Sequence, residues 1–237
     1  MSPSLSDTTL TAPRYDIYAG IHKALRSMMN DTLFSVGRVD TNDANDMHET
    51  CERVLELTEI LTRHLKHENE FIHPAMEQGH LGSSLRIAEE HVQHQTAISG
   101  LREAVSRLAT ADSALAKRRA AHALYHDLSL FVAENFDHMH EEEAKHNAAL
   151  WASYSDAELM AMEGKIVASI PLAVNLTIMR WMIPALSPGE RADLLTGMRA
   201  SAPAPAFAAV LDAVRPHLSA LDWSKLMLAL EPERMAA

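Results

Sequence analysis

One cysteine, Cys51, stands in a chain of 237 residues. A single thiol excludes an intramolecular disulfide framework and a zinc finger built on cysteines. Basic side chains are also in deficit. Lysine and arginine number 21 against 32 aspartates and glutamates, for a formal net charge of -11. A non-specific nucleic-acid binder carries a basic face, so no nucleic acid is expected as a partner. The eight glycines do not cluster. They form no phosphate-cradling loop, dinucleotide fingerprint or nucleophile elbow, which removes the catalytic classes built on those turns. Proline is absent between Pro13 and Pro74, and no stretch there alternates with the period of a strand. The opening MSPSLSDTTLTAPR lacks the basic-then-apolar pattern of a secretory signal, so residues 1–12 read as a disordered tail and a cytoplasmic location is the default. The apolar stretch 166–186 is interrupted by Pro171, Asn175 and Arg180. It reads as a buried helical hairpin and not as a membrane span.

What the chain has in excess is histidine. Thirteen of its 14 histidines lie between His22 and His146, and only His217 lies beyond. Imidazole is the commonest metal-ligating side chain, so a metal site is sought in that half.

The expected fold is all-α, an up-down-up-down four-helix bundle over 13–152 followed by a smaller helical extension over 153–237. The four bundle helices are read at about 14–36, from 41–43 to 78–79, from 83 to about 109, and from about 112 to 151. Helix starts and stops support these limits: Thr41, Asn42 and Asp43 before the second, Gly82 and Ser83 before the third, Asp112 and Ser113 before the fourth. The extension is rich in alanine, leucine, methionine and proline. Ser155, Pro171, the run Ser187-Pro188-Gly189-Glu190, Pro203, Pro205 and Pro216 divide it into four or five short helices.

Each bundle helix carries an apolar stripe stepping by three and four, the spacing of an inward seam. The first stripe holds Tyr15, Tyr18, His22, Leu25 and Met29. On the second lie Val54, Leu57, Leu61, His64, Glu68 and Phe71. Ile87, His91, His94, Ile98, Leu101, Val105 and Leu108 make the third, and Leu124, Leu128, Phe131, Asn135, His138 and Glu142 the fourth. Every stripe is broken by histidine and two by glutamate as well. Charged groups are not buried unpaired, because desolvation costs several kcal/mol. Four helices sharing this break at compatible depths point to polar groups gathered around a cation.

Two segments share the pattern His-x3-Glu: His64 with Glu68, and His138 with Glu142. On a helix, residues four apart differ by about 40° around the axis and about 6 Å along it, so imidazole and carboxylate can reach one interior point. His22 from the first helix and His91 or His94 from the third complete a set of four histidines and two glutamates. Such a set suits two metals. With both carboxylates bridging and an oxide or hydroxide between the ions, positions remain open for water, oxygen or substrate. Mixed imidazole and carboxylate ligation suits iron, and also holds zinc or manganese.

The segments HLKHENEFIHPAM (64–76) and FDHMHEEEAKH (136–146), with the histidines of the other two helices, resemble the hemerythrin-like, or HHE cation-binding, domain. They are similar in motif to the hemerythrin-like domains of iron-regulating ubiquitin ligases. The resemblance covers about 15–150. It implies His22, His64, Glu68, His91, His138 and Glu142 as ligands of two non-haem iron ions, with Glu68 and Glu142 bridging. His91 is preferred to His94 because Glu90-His91 falls where the family places its third-helix ligand, and His94 stays open as a further ligand. Around the site, Asn135 is expected as a partner of His138, Tyr18 as a core residue or donor, and His73 as a neighbour. His67, His122, His126, His140, Glu141 and His146 are expected on the surface, and Glu70 there or beside the site.

Three functions follow as expectations. The first is binding of O2 or a related diatomic or peroxide ligand, in oxygen or iron sensing or handling. Another is a diiron enzyme (a peroxidase, an oxygenase or a repairer of nitric-oxide damage) whose substrate pocket is covered by the C-terminal helices. The third is a regulatory module whose fold depends on metal and whose C-terminal helices meet a protein partner or a second copy.

Overall fold

The computed structural model describes residues 14–231; the tail expected over 1–12 lies outside the described residues. Among the described residues there is no strand, and the chain is all-α. The bundle consists of α1 (Ala19–Gly37), α2 (Ala44–His67) continued by α3 (His73–Gly79), α4 (Leu85–Ala109), and α5 (Ala114–Glu141) continued by α6 (Asn147–Ser153). α1 packs on α2, α2 on α4, α4 on α5, and α5 on α1, closing a ring.

Local chemistry sets the helix ends. α1 starts later than the apolar pattern implies, because the Asp16 carboxylate accepts from the backbone N–H groups of Tyr18 and Ala19, at 2.9 and 3.0 Å. The residues before it anchor the far end of the bundle: Arg14 donates to the carbonyls of Trp151 and Tyr154. Asp43 caps α2 by accepting from Asn45 and Asp46, and Ser113 caps α5 by accepting from Ala116.

Two helices differ from the uninterrupted ones expected. α2 passes into α3 through a π-helical turn, Glu68–Ile72, and α5 passes into α6 through another, Glu142–His146. Each turn begins at the glutamate of a His-x3-Glu pair. A π turn widens the coil by one residue and rotates everything beyond it. The inward position past Glu68 therefore falls to Ile72, which is buried, while Phe71, expected there, is only half-buried.

The bundle core runs from Leu25 and Met29 through Val54, Leu57 and Leu61 to Ile98, Leu101, Leu124 and Leu128. C-terminal to the bundle follow α7 (Asp156–Ser169), α8 (Leu172–Ala185), α9 (Pro188–Ser201), α10 (Ala204–Val214) and α11 (Ala220–Ala229). Reciprocal Ser155–Glu158 and Ser187–Glu190 capping boxes start α7 and α9. The buried hairpin expected over 166–186 is half realised. α8 packs between α1 and α10, whereas α7 fully buries only Leu159. α8 joins two cores, with Ile178 in the bundle and Met179 and Ile183 in a second cluster with Leu195, Val210 and Val214. No helix among the described residues is long and apolar enough to cross a membrane.

Leu57 is fully buried in the bundle core. Leu57→Ala is expected to cost about 2–5 kcal/mol, read from urea unfolding followed by circular dichroism, because it leaves a cavity that the packed helices fill only in part.

Candidate metal centre

The N-terminal parts of α1 and α4 and the C-terminal parts of α2 and α5 meet at one level, and six side chains converge there. They divide into two groups. His22 and His64 with Glu68 and Glu142 form one, and His91 and His138 with the same two glutamates form the other; in each, the ligand atoms lie within 4.8 Å of one another. The glutamates are shared in a specific way. Glu68 turns Oε1 toward His64 Nε2 (3.1 Å) and His22 Nε2 (3.9 Å), and Oε2 toward His91 Nε2 (3.5 Å). Glu142 turns Oε2 toward His22 Nε2 (3.3 Å), and Oε1 toward His138 Nε2 (3.3 Å) and His91 Nε2 (3.8 Å). Each carboxylate thus gives one oxygen to each group.

These atoms are close without being bonded. The Nε2 atoms of His22, His64, His91 and His138 and all four oxygens of Glu68 and Glu142 are buried with no hydrogen-bond partner. Even the nearest pair, His64 Nε2 with Glu68 Oε1 at 3.1 Å, forms no hydrogen bond. Buried polar groups are normally satisfied, and eight orphans in one place are what a pair of cations would satisfy. The donor set of imidazole and carboxylate fits transition metals.

The outward nitrogens of three of the rings are held. His22 Nδ1 lies 3.0 Å from Glu143, which Arg26 grips with both terminal nitrogens. His138 Nδ1 lies 2.9 Å from Glu90, itself bonded to Arg86. His91 Nδ1 meets Asn69 Oδ1 at 2.9 Å. Imidazole–carboxylate–guanidinium chains therefore lead from two of the rings to the surface, fixing the tautomer that presents Nε2 inward.

Without metal, protons take part of that role. Burial would lower the His22 imidazole, but Glu142, Glu143 and Glu68 outweigh it and raise it to about 10. Burial likewise opposes charge on His138, and Glu142 and Glu90 raise it to about 9. Glu142, despite its burial, is held well below the usual carboxylate range by His138, His22 and His91, whereas burial and the charge of Glu142 push Glu68 up. His64 is lowered by burial and by the neighbouring His22.

Several neighbours differ from expectation. Asn135 is not the partner of His138: its amide donates to the Phe131 carbonyl at 2.8 Å, one turn back on its own helix. Glu90 takes that place, and its position directly before His91 was the available signal. His146 is not on the surface. The π turn rotates it inward, where it is buried with Nδ1 3.2 Å from the Tyr18 hydroxyl. His73, the first residue after the other π turn, is buried with its ring 4.8 Å from that of His91. Tyr18 is a core residue whose ring lies 5.0 Å from that of His22. His94 belongs to neither group. It is buried with its ring 4.5 Å from that of His138, and burial together with His138 lowers it to about 4. His122, His126, His140 and Glu70 are exposed, as expected, while His67 and Glu141 are half-buried.

The family model described as the hemerythrin HHE cation binding domain matches residues 14–150, more than half of the chain. No curated protein and no solved structure gives a match.

The protonation pattern sets the pH dependence of the metal-free protein. His22 and His138 have raised values, so the stability they contribute is complete below about 6.5 and is lost as pH rises through 9 and 10. His64, His73 and His94 have lowered values, so they destabilise the fold as pH falls below 6.5. The thermal midpoint of the metal-free chain is expected to peak near pH 6.5 and fall toward pH 10. The metal-loaded chain should stay flat from pH 6.5 to 9 in the same scanning calorimetry, because metal has displaced those protons.

Proposed function

The chain belongs to the hemerythrin HHE cation-binding family, and from that premise we propose that its buried cluster holds two metal ions. His22 and His64 hold one, His91 and His138 the other, and Glu68 and Glu142 bridge them. The observation that carries this reading is the set of eight buried, unpartnered nitrogen and oxygen atoms, divided so that each site receives two imidazoles and one oxygen from each carboxylate. Iron is the metal this donor set favours, with zinc or manganese as alternatives under the same ligation. Four protein donors per ion leave coordination positions open, and two such ions would supply binding of O2 or a related small ligand.

The residues around the site suit that role. The converging ligand atoms are all buried, so a small molecule bound between them is shielded from bulk water. Glu143 and Glu90 keep His22 and His138 in the ligating tautomer. The donors come from four separate segments of the bundle, so metal and fold stabilise one another.

Reconstitution with iron followed by metal analysis, with optical spectra under air, dithionite and peroxide, tests the proposal. About two ions per chain are expected, as for a two-metal site, with spectra that respond to oxygen or peroxide. One ion or none, or spectra indifferent to both, would overturn it. Glu90→Gln and Glu143→Gln should each weaken metal affinity about 10–100-fold in a competitive chelator titration while leaving helicity unchanged, since they remove a charged outer partner of a ligating ring.

A further inference from the structure

A cavity of about 90 Å³ lies between the bundle and the α7–α8 segment. One wall belongs to the centre itself: Tyr18, His64 and Glu68 line it. The other wall is aliphatic, with Ile166 from α7, Ile170 just past its end, and Ile178 and Met182 from α8. α7 and α8 lie beyond the 14–150 stretch matched by the family, so the bundle alone does not build this chamber. Val167 in its lining is 41% exposed, so the chamber opens toward solvent along α7 while its inner end reaches the centre.

The lining defines what fits. Charged groups at its edge are already engaged: Arg63 donates to Glu59 at 2.8 Å, and Glu163 accepts from the Tyr15 hydroxyl. Burial also raises the Glu163 carboxyl, which favours its neutral form. Apart from the centre itself, these side chains offer an ionic ligand no free counter-charge, and burying it against the aliphatic wall would cost several kcal/mol. Asn175 supplies the one amide in the wall. At roughly 15 Å³ for each water-sized occupant, the volume accommodates about six non-hydrogen atoms.

We propose that this cavity is a binding chamber for a small, uncharged, apolar molecule of about six non-hydrogen atoms, held by α7 and α8 against the His64–Glu68 edge of the centre. The chamber exists in the chain as folded, and it rests on the two-metal reading only for the identity of that edge. The C-terminal helices thereby select, by size and lack of charge, what lies next to the metals.

Benzene is the probe, and butyrate is a charged control of similar size. Crystals of the metal-loaded full chain soaked in benzene should show it between α2 and the α7–α8 segment. Benzene, and not butyrate, should raise the thermal midpoint of the metal-free chain, in which the carboxylate of butyrate has no metal to coordinate. Ile166→Trp fills the chamber and should weaken the apparent benzene affinity at least tenfold, with helicity and metal content as in the unaltered chain; Ile170→Trp serves if the first variant fails to fold. Absence of benzene from the chamber, equal stabilisation by butyrate, or undiminished benzene binding in the filled variants would overturn the proposal. Metal is counted on the same samples. Benzene bound in a chain that takes up no metal sinks the two-metal reading and leaves the chamber standing, whereas two metals without benzene does the reverse.

Discussion

Two carboxylates with their oxygens fully out of water are the constraint on which this structure turns. Glu68 and Glu142 are buried inside a helical bundle, and neither can be ionised there without positive charge beside it. Four imidazoles converge on them, each from a different segment, and two of these rings also reach a carboxylate on the outer side. The alternation of charge, from half-buried Arg26 and exposed Arg86 through Glu143 and Glu90 to His22 and His138 and then inward, gives the interior fixed supports that could hold a metal. Without a cation the cluster depends on protons, which would compete with metal for the same atoms.

The π turns are part of this arrangement. Each begins at one of the two central glutamates, and each rotates the following residues relative to a regular helix. That rotation brings His73 and His146 inward and joins them with Tyr18 into a buried aromatic layer at one end of the cluster. The C-terminal helices then close a side of the bundle where α1 and α2 would otherwise face water, with α8 belonging to both cores at once.

Much of this was legible in the chain. The stripes of α4 and α5 are buried at every position their spacing implies, because three-and-four periodicity records one face of a regular helix. The six converging side chains were legible for the same reason, since histidine and glutamate on an apolar stripe conflict with burial unless they meet. What periodicity could not carry was irregularity. It assumes a constant angle per residue, so it missed both π turns and with them the burial of His146 and the exchange of Phe71 for Ile72. It also sees only neighbours on one helix. Asn135 lies one turn from His138 and is the nearest candidate along the chain, but the partner is Glu90 on a different helix, a pairing that only the packing of α4 on α5 creates. The cavity beneath α7 and α8 belongs to the same class: its walls come from residues more than a hundred positions apart.

Anomalous scattering from crystals of the iron-loaded protein, collected on both sides of the iron absorption edge, bears most directly on the sharing of Glu68 and Glu142. The account predicts two peaks, one bounded by His22 and His64 and the other by His91 and His138, with one oxygen of Glu68 and one of Glu142 directed at each. A single peak, or a pair of peaks in which either glutamate contacts only one ion, would contradict it.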